Sequence, residues 1–264
     1  MLGSFVFFQK NRENRRLLPL YVQFHTVADA RPAEAHLVDR LSENALGRFN
    51  LELKKNVTHD SFAESDSWRD EAGFIVADRN RFVYATYKTA SLLPTLTPTV
   101  VIYEIVPMRL STANFHDCGL LIQEGLTTAL PIVKITKYNA KDLETLCDFD
   151  TSVCGFAREE AVEFVASNST VFVAKGDGAI DGVIAGKGGR IFLLYAETME
   201  IAHALIKHYI LTSNLKQVSF FTREDVWECE PTSARRVHRR HTRTVPSSIK
   251  WNKVFALNMG FHIV

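Results

Sequence analysis

Arg190-Ile-Phe-Leu-Leu-Tyr-Ala196, followed at once by Glu197-Thr-Met-Glu-Ile-Ala202, is the stretch that decides the fold. The first seven residues form an apolar run of strand length. Thr198 then stands as an N-cap, and Ile201, Ala202, Leu205, Ile206 and Tyr209 recur at helical spacing to about Ile210. A strand that runs straight into a capped helix leaves strand-end and first-turn N–H groups unpaired, and with the helix dipole these can receive a diphosphate. Most such junctions bind nothing. Glu197 and Glu200 fit a second reading, in which they only complement the dipole.

Working outward, the preceding residues read as antiparallel strands. Thr170–Lys175 and Ala179–Ala185 flank Gly176-Asp177-Gly178, which has hairpin turn chemistry, and Gly186-Lys-Gly-Gly189 leads into the strand at Arg190. Upstream lie a strand at Ile132–Tyr138, a short helix starting near Asn139 or Ala140, and a helix from Arg158 to Ser167. Downstream the sequence predicts a strand at Val218–Thr222, a polar basic loop from Glu224 to Pro246, a helix from Ser248 to Asn258 and a closing Gly260–Val264. This is an α+β order with one β-α-β crossover.

The first half repeats part of that order. It has a strand at Leu20–Val27, a helix from Pro32 to Leu51, strand-like runs at Gly73–Asp78, Arg81–Tyr87 and Thr99–Val106, and a helix from Thr112 to Leu126. The Thr99 run is β-branched and reads as central. Repetition of order makes two tandem halves one arrangement to expect. The division is then an extension over 1–19, an α+β domain over 20–130 and a second domain over 131–264.

Of 264 residues, 31 are basic and 30 acidic, a net charge of +1, which argues against a chain built to neutralise phosphates along nucleic acid. No apolar run reaches the roughly 20 residues that span a bilayer. The start, Met1–Lys10, does not read as a signal peptide. Cys118, Cys147, Cys154 and Cys229 lack C-x-x-C spacing and read as reduced thiols, with no metal site expected. A cytoplasmic location follows. The basic run Arg235–Arg243 keeps a nuclear-import patch, an RNA contact and a clamp for cofactor phosphates in view beside a plain solvated loop.

Here a family resemblance enters. Asp148-Phe-Asp-Thr-Ser-Val-Cys-Gly-Phe-Ala-Arg158 resembles the D-x-x-V-x-G-x-x-R segment of the YitH-like branch of the GNAT acetyltransferases, with Asp150, Val153, Gly155 and Arg158 matching. Phe172-Val-Ala-Lys175 with Gly182-Val-Ile-Ala185 is similar to that branch's hairpin. Arg190 to Ala202 is similar to its cofactor strand and helix, and Lys253 to Phe261 resembles the G-F close of its last helix. The match covers about half the chain.

What the resemblance implies is a mixed, mainly antiparallel sheet flanked by helices. It also implies acetyl-CoA held by backbone near Leu193, Leu194, Ala196, Thr198 and Met199, its thioester lying in a splay beside Leu194 and Tyr195. The activity implied is acyl-CoA-dependent N-acetyl transfer to a small-molecule or peptide amine. Amide formation needs a base near the thioester, and Glu197 and Tyr195 lie nearest in sequence, ahead of Glu163, His203 and Asp150. Arg158 pairs with Asp150 or clamps phosphate, His203 sits in an apolar helix face, and Cys154 reads as a small buried residue. Two departures stand out. The Gly-rich phosphate loop is missing, and Ala256 stands where many GNAT enzymes place a proton-donating tyrosine, with Phe255 beside it. A catalytically silent GNAT-fold module that binds CoA or a protein is therefore the rival expectation.

Overall fold

The computed structural model describes residues 2–10, 17–25, 58–62, 70, 73–98, 100–103, 132–176 and 179–257. The helices expected over 32–51 and 112–126, the residues of the Gly176 turn beyond Gly176 itself, and the close at 260–264 lie outside the described residues.

Two strands, β1 (Leu2–Lys10) and β2 (Leu17–His25), pair antiparallel as a sheet of their own. The other strands make one eleven-stranded sheet: β3 (Thr58–Ser61), β4 (Val76–Ala77), β5 (Phe82–Lys88), β6 (Val100–Tyr103), β7 (Ile132–Lys137), β8 (Thr170–Lys175), β9 (Ile180–Lys187), β10 (Arg190–Ala196), β11 (Gln217–Arg223), β12 (Ser233–His241) and β13 (Val254–Ala256). Along it the order is β3-β12-β5-β11-β10-β9-β8-β7-β6, with β13 on β10 and β4 on β12. The pairs are antiparallel except β6 with β7 and β10 with β11. This is the mainly antiparallel α+β sheet expected from the sequence. Strands from both sides of residue 130 share it.

Among the described residues, three helices longer than a single turn flank the sheet. On one face α3 (Met199–Thr212) buries Ala202, Leu205, Ile206 and Tyr209 against Ile184, Leu194 and Phe220. Gly182 lets it approach, since a Cβ there would stand 2.8 Å from Ile201 Cγ2. On the other face α1 (Leu143–Cys154) and α2 (Glu159–Asn168) bury Leu146, Phe149, Val153, Val162 and Val165 against Val173, Val183 and Tyr195. A 3-10 turn, Ala140–Asp142, capped by Asn139, leads into α1, so the helix begins there as expected but runs much longer than read.

Three expectations are corrected. The Thr99 run, read as central, forms β6 at the end of the strand order among the described residues. The basic loop from Glu224 contains β12, where Val237, Arg239 and His241 alternate inward. An inward arginine defeats a hydrophobic pattern, and this one is hidden because Asp60 accepts two 2.7 Å bonds from it and the Phe82 ring lies under its guanidinium. The helix read over Ser248–Asn258 is, in its described part, a 3-10 turn at Trp251–Lys253 followed by β13. Val254, Phe255, Ala256 and Leu257 are all buried, which one face of a surface helix does not allow.

Two stability predictions follow from buried polar contacts. Asp60→Ala strands the Arg239 guanidinium inside the protein and is expected to cost about 3–5 kcal/mol in urea unfolding, far more than removal of an exposed pair. His203, on α3, accepts a 2.9 Å bond at Nδ1 from the Thr97 N–H and is held neutral. Burial lowers its pKa below 6.5, outweighing the opposite pull of Glu200 and Glu228. Its contribution is complete above about pH 6.5 and is lost as pH falls through the lowered value, because the unfolded chain takes up the proton first. The drop in unfolding free energy between pH 7.5 and 5 is therefore expected to shrink in His203→Gln; an unchanged drop removes His203 as its source.

Candidate functional site

The junction singled out in the sequence forms as read: β10 ends at Ala196, and the Thr198 side chain caps α3 by accepting from the Ile201 N–H. Beyond it β10 and β11 behave as two arms of a splay. They meet at a single register pair, Arg190 with Ser219, secured by a 2.8 Å bond from the Ser219 N–H to the Gly189 carbonyl, and then diverge.

The opening between the arms is filled by β13. Its residues run antiparallel to β10, with Ala256 opposite Leu194 and Val254 opposite Tyr195, across a register shift in β10. On the other side Leu257 bridges to Phe221 and donates a 2.9 Å bond to its carbonyl. Phe255 and Ala256 join the core under α3, while Val254 and Leu257 join the core under α1 and α2. The Phe255 carbonyl accepts from Thr222 Oγ1 at 2.8 Å and from Trp227 Nε1 at 3.2 Å. The segment that delivers β13 is anchored too. Gly155 ends α1 at φ +82°, and a Cβ there would stand 2.3 Å from that of Ser248, whose hydroxyl donates to the Cys154 carbonyl while Lys250 N–H donates to Val153.

Each residue expected to hold a cofactor can now be placed. Leu194 and Ala196 are fully buried, and Leu194 and Tyr195 are flanked by β9 on one side and β13 on the other. Leu193 is half-buried, and Thr198 and Met199 are exposed. The Glu197 N–H donates to the Asp181 carbonyl at 2.8 Å. At the helix start the Glu200 carboxylate accepts from the Thr198 hydroxyl and from its own N–H, and these bonds hold its pKa below the usual range. With β13 between the two arms, these residues do not fit an acyl-CoA.

The two proposed catalytic groups are equally engaged. Tyr195 is 1% exposed, and its hydroxyl accepts from Arg158 at 3.2 Å. Burial drives its phenol pKa far up, and Arg158 offsets only part of that, so it does not ionise near neutral pH. Arg158 itself grips Asp150 with two 2.6 Å bonds, the first of the two roles expected for it. Cys154, beside them, has its thiol pushed up to about 12 by burial and is no nucleophile. Asp150, Arg158, Val162, Phe192, Leu193 and Tyr195 line a shallow opening on this face of β10. Glu197 stands at the mouth of the splay, paired with Lys253. His203 is bonded to Thr97.

The basic run is engaged within the chain, with Arg239 buried and Arg235 and Arg236 exposed. Arg235 covers the Phe62 ring, Arg236 pairs with Glu224, Arg239 with Asp60 and Arg240 with Asp70. His241 Nε2 lies 3.1 Å from Asp78 Oδ2, with both side chains 1% exposed. Sequence reasoning missed this network because its acidic members come from β3, from the segment around β4 and from the residue after β11. Among the described residues no cluster of His, Cys, Asp and Glu is arranged to hold a metal, and no helix is long and apolar enough to cross a membrane.

Comparison with known proteins bears mainly on the fold. The model of a domain of unknown function, DUF7596, matches residues 4–76, well under half the chain. No curated protein matches. Among solved structures, an assigned acetyltransferase from Pyrococcus horikoshii is 10% identical, aligns over 97% of this chain and 73% of its own, and has a TM-score of 0.56. A GCN5-related N-acetyltransferase from Kribbella flavida, also 10% identical, aligns over 90% of this chain and 56% of its own with a TM-score of 0.42. A functionally unknown conserved protein from Staphylococcus epidermidis, 8% identical, aligns over 86% and 85% with a TM-score of 0.44. Only the first exceeds 0.5. The YitH-like branch and the tandem arrangement rest on the sequence alone. The chain has the fold of GNAT-like acetyltransferases, and at such identity the likeness is one of fold.

Proposed function

We propose that this chain is a GNAT-fold interaction module that does not transfer acetyl groups while β13 lies in its splay. The observation that carries this reading is the occupant itself: the chain's own backbone takes the edges of β10 and β11 that a pantetheine arm would need. Magnitudes favour the occupant. Burying Val254, Phe255 and Leu257 contributes roughly 1.5–3 kcal/mol each, together of the order of the roughly 8 kcal/mol that a micromolar ligand supplies. A CoA ester that had to expel β13 would keep little net affinity. The inert Tyr195 phenol and Ala256 in place of a proton donor point the same way.

One observation favours a second reading, an acetyl-CoA-dependent N-acetyltransferase acting on a small-molecule or peptide amine. Glu197 sits at the splay's mouth with an amine, that of Lys253, against its carboxylate, which is the placement a general base for an acceptor amine requires. Calorimetric titration of the full chain with acetyl-CoA separates the two. The module reading expects no binding tighter than about millimolar and no thiol release with an amine panel. Micromolar binding accompanied by turnover restores the enzyme.

A further inference from the structure

We infer that the open sheet face shared by β12, β5, β11 and β10 is a binding platform for single-stranded nucleic acid. The inference rests on the module reading and deepens it by naming the class of partner.

Strand alternation defines the face. Thr86 Oγ1 and Ser219 Oγ lie 3.0 Å apart, so they share one side of the sheet with their register neighbours Ser233 on β12 and Arg190 on β10. Tyr84 and Arg235, opposite each other, stand on that side two residues further along β5 and β12. Helices α1 and α2 pack on the same side, but against β8, β9 and Tyr195. Lys88, Arg190, Ser233 and Arg235 are left exposed, and Tyr84, Thr86, Phe192 and Ser219 half-buried.

Charge complementarity selects a polyanion. The four strands contain no Asp or Glu. Carboxylates from outside them, those of Glu224, Asp60 and Asp70, take Arg236, Arg239 and Arg240. Among the described residues no carboxylate pairs with Lys88, Arg190 or Arg235. The whole-chain charge of +1 conceals this local excess. Charge alone would suit an acidic protein segment equally well, and the ring geometry favours bases instead. The Arg235 guanidinium lies 4.1 Å over the Phe62 ring, and that of Arg190 lies 5.9 Å over Phe192. A guanidinium seated on a ring keeps its other face open for a base to stack on. Tyr84, edge-on to Phe62 at 6.4 Å, adds a half-exposed ring between the two. The hydroxyls of Thr86, Ser219 and Ser233 lie among these groups and can donate to phosphate or sugar oxygens. From Arg190 to Arg235 the face spans three strand spacings, about 14 Å. A four-stranded sheet carrying aromatic rings is a surface on which two or three bases of a single strand stack.

Fluorescence anisotropy of a labelled oligoadenylate of about ten nucleotides, titrated with the full-length chain between about 50 and 200 mM salt, tests this. The expected result is saturable binding whose log affinity falls against log salt with a slope of about 2, as for three phosphates on a single strand. Arg235→Ala weakens it by about fivefold or more, the loss of one stacked base. Arg235→Lys also weakens it while keeping the slope, because it retains the charge and loses the plane. Lys88→Ala with Arg190→Ala lowers the slope by about 1.4. Arg79→Ala, at an exposed position outside the four strands, changes neither affinity nor slope. Each variant is first checked for cooperative unfolding; should Arg235→Ala fail because it uncovers Phe62, the double variant decides. Equal loss in Arg79→Ala, or full affinity in Arg235→Lys, overturns the inference. So does a duplex of the same length that binds as tightly. Displacement by poly-glutamate as effective as by unlabelled RNA also overturns it and assigns the face to an acidic protein. Absence of binding overturns it and leaves the module reading standing, since the acetyl-CoA titration decides that reading on its own.

Discussion

Two parallel strands that touch at one end and part at the other expose backbone N–H and C=O groups along their facing edges, and in a core these must find partners. In this protein the parting of β10 from β11 beyond Arg190 and Ser219 sets that demand, and β13 meets it. The consequences spread outward. Because β13 contributes side chains to both faces, it joins the core under α3 to the core under α1 and α2 at the one place where the sheet would otherwise be open. Gly155 and Ser248 hold the incoming chain against the end of α1, so the strand arrives from a fixed direction.

The same corner explains why the fold and the chemistry part company. A strand-to-helix junction attracts an anion only while its amides are free. Here the Asp181 carbonyl takes the Glu197 N–H, and the Thr198 hydroxyl oxygen takes that of Ile201. Tyr195, adjacent to the expected thioester, points into the opposite core and completes the Asp150 and Arg158 pair, where burial fixes it as a neutral hydrogen-bonding group. These are stabilising uses of residues whose sequence positions suggested catalysis. Buried charge elsewhere follows the same rule: Arg239 and Asp60 lie inside because they satisfy each other, and they fasten β3 to β12.

Local patterns made much of this legible in the sequence. β8 and β10 end where their apolar runs end, Thr198 caps α3, and Arg158 meets Asp150 eight positions away. What stayed hidden depends on partners remote in sequence. β12 reads as a basic loop until Asp60, 179 positions from Arg239, is brought beside it. Val254–Ala256 follows a helix-like stretch, and only the vacant edges of β10 and β11 turn it into a strand. Glu197 directly follows β10, and its partner Lys253 belongs to the segment read as helix. The register shift in β10 at Leu194 and Tyr195 has no sequence signal at all.

The account turns on whether β13 lies between the two arms, and amide hydrogen exchange of Leu257 reads this most directly. Its N–H is bonded to the Phe221 carbonyl at the deepest described point of the splay. If the strand is a fixed part of the sheet, that amide exchanges only with global unfolding, at the rate of the buried amides of β9 and β11. Exchange on the timescale of exposed loop amides, with β9 and β11 still protected, would show an open splay and contradict the account.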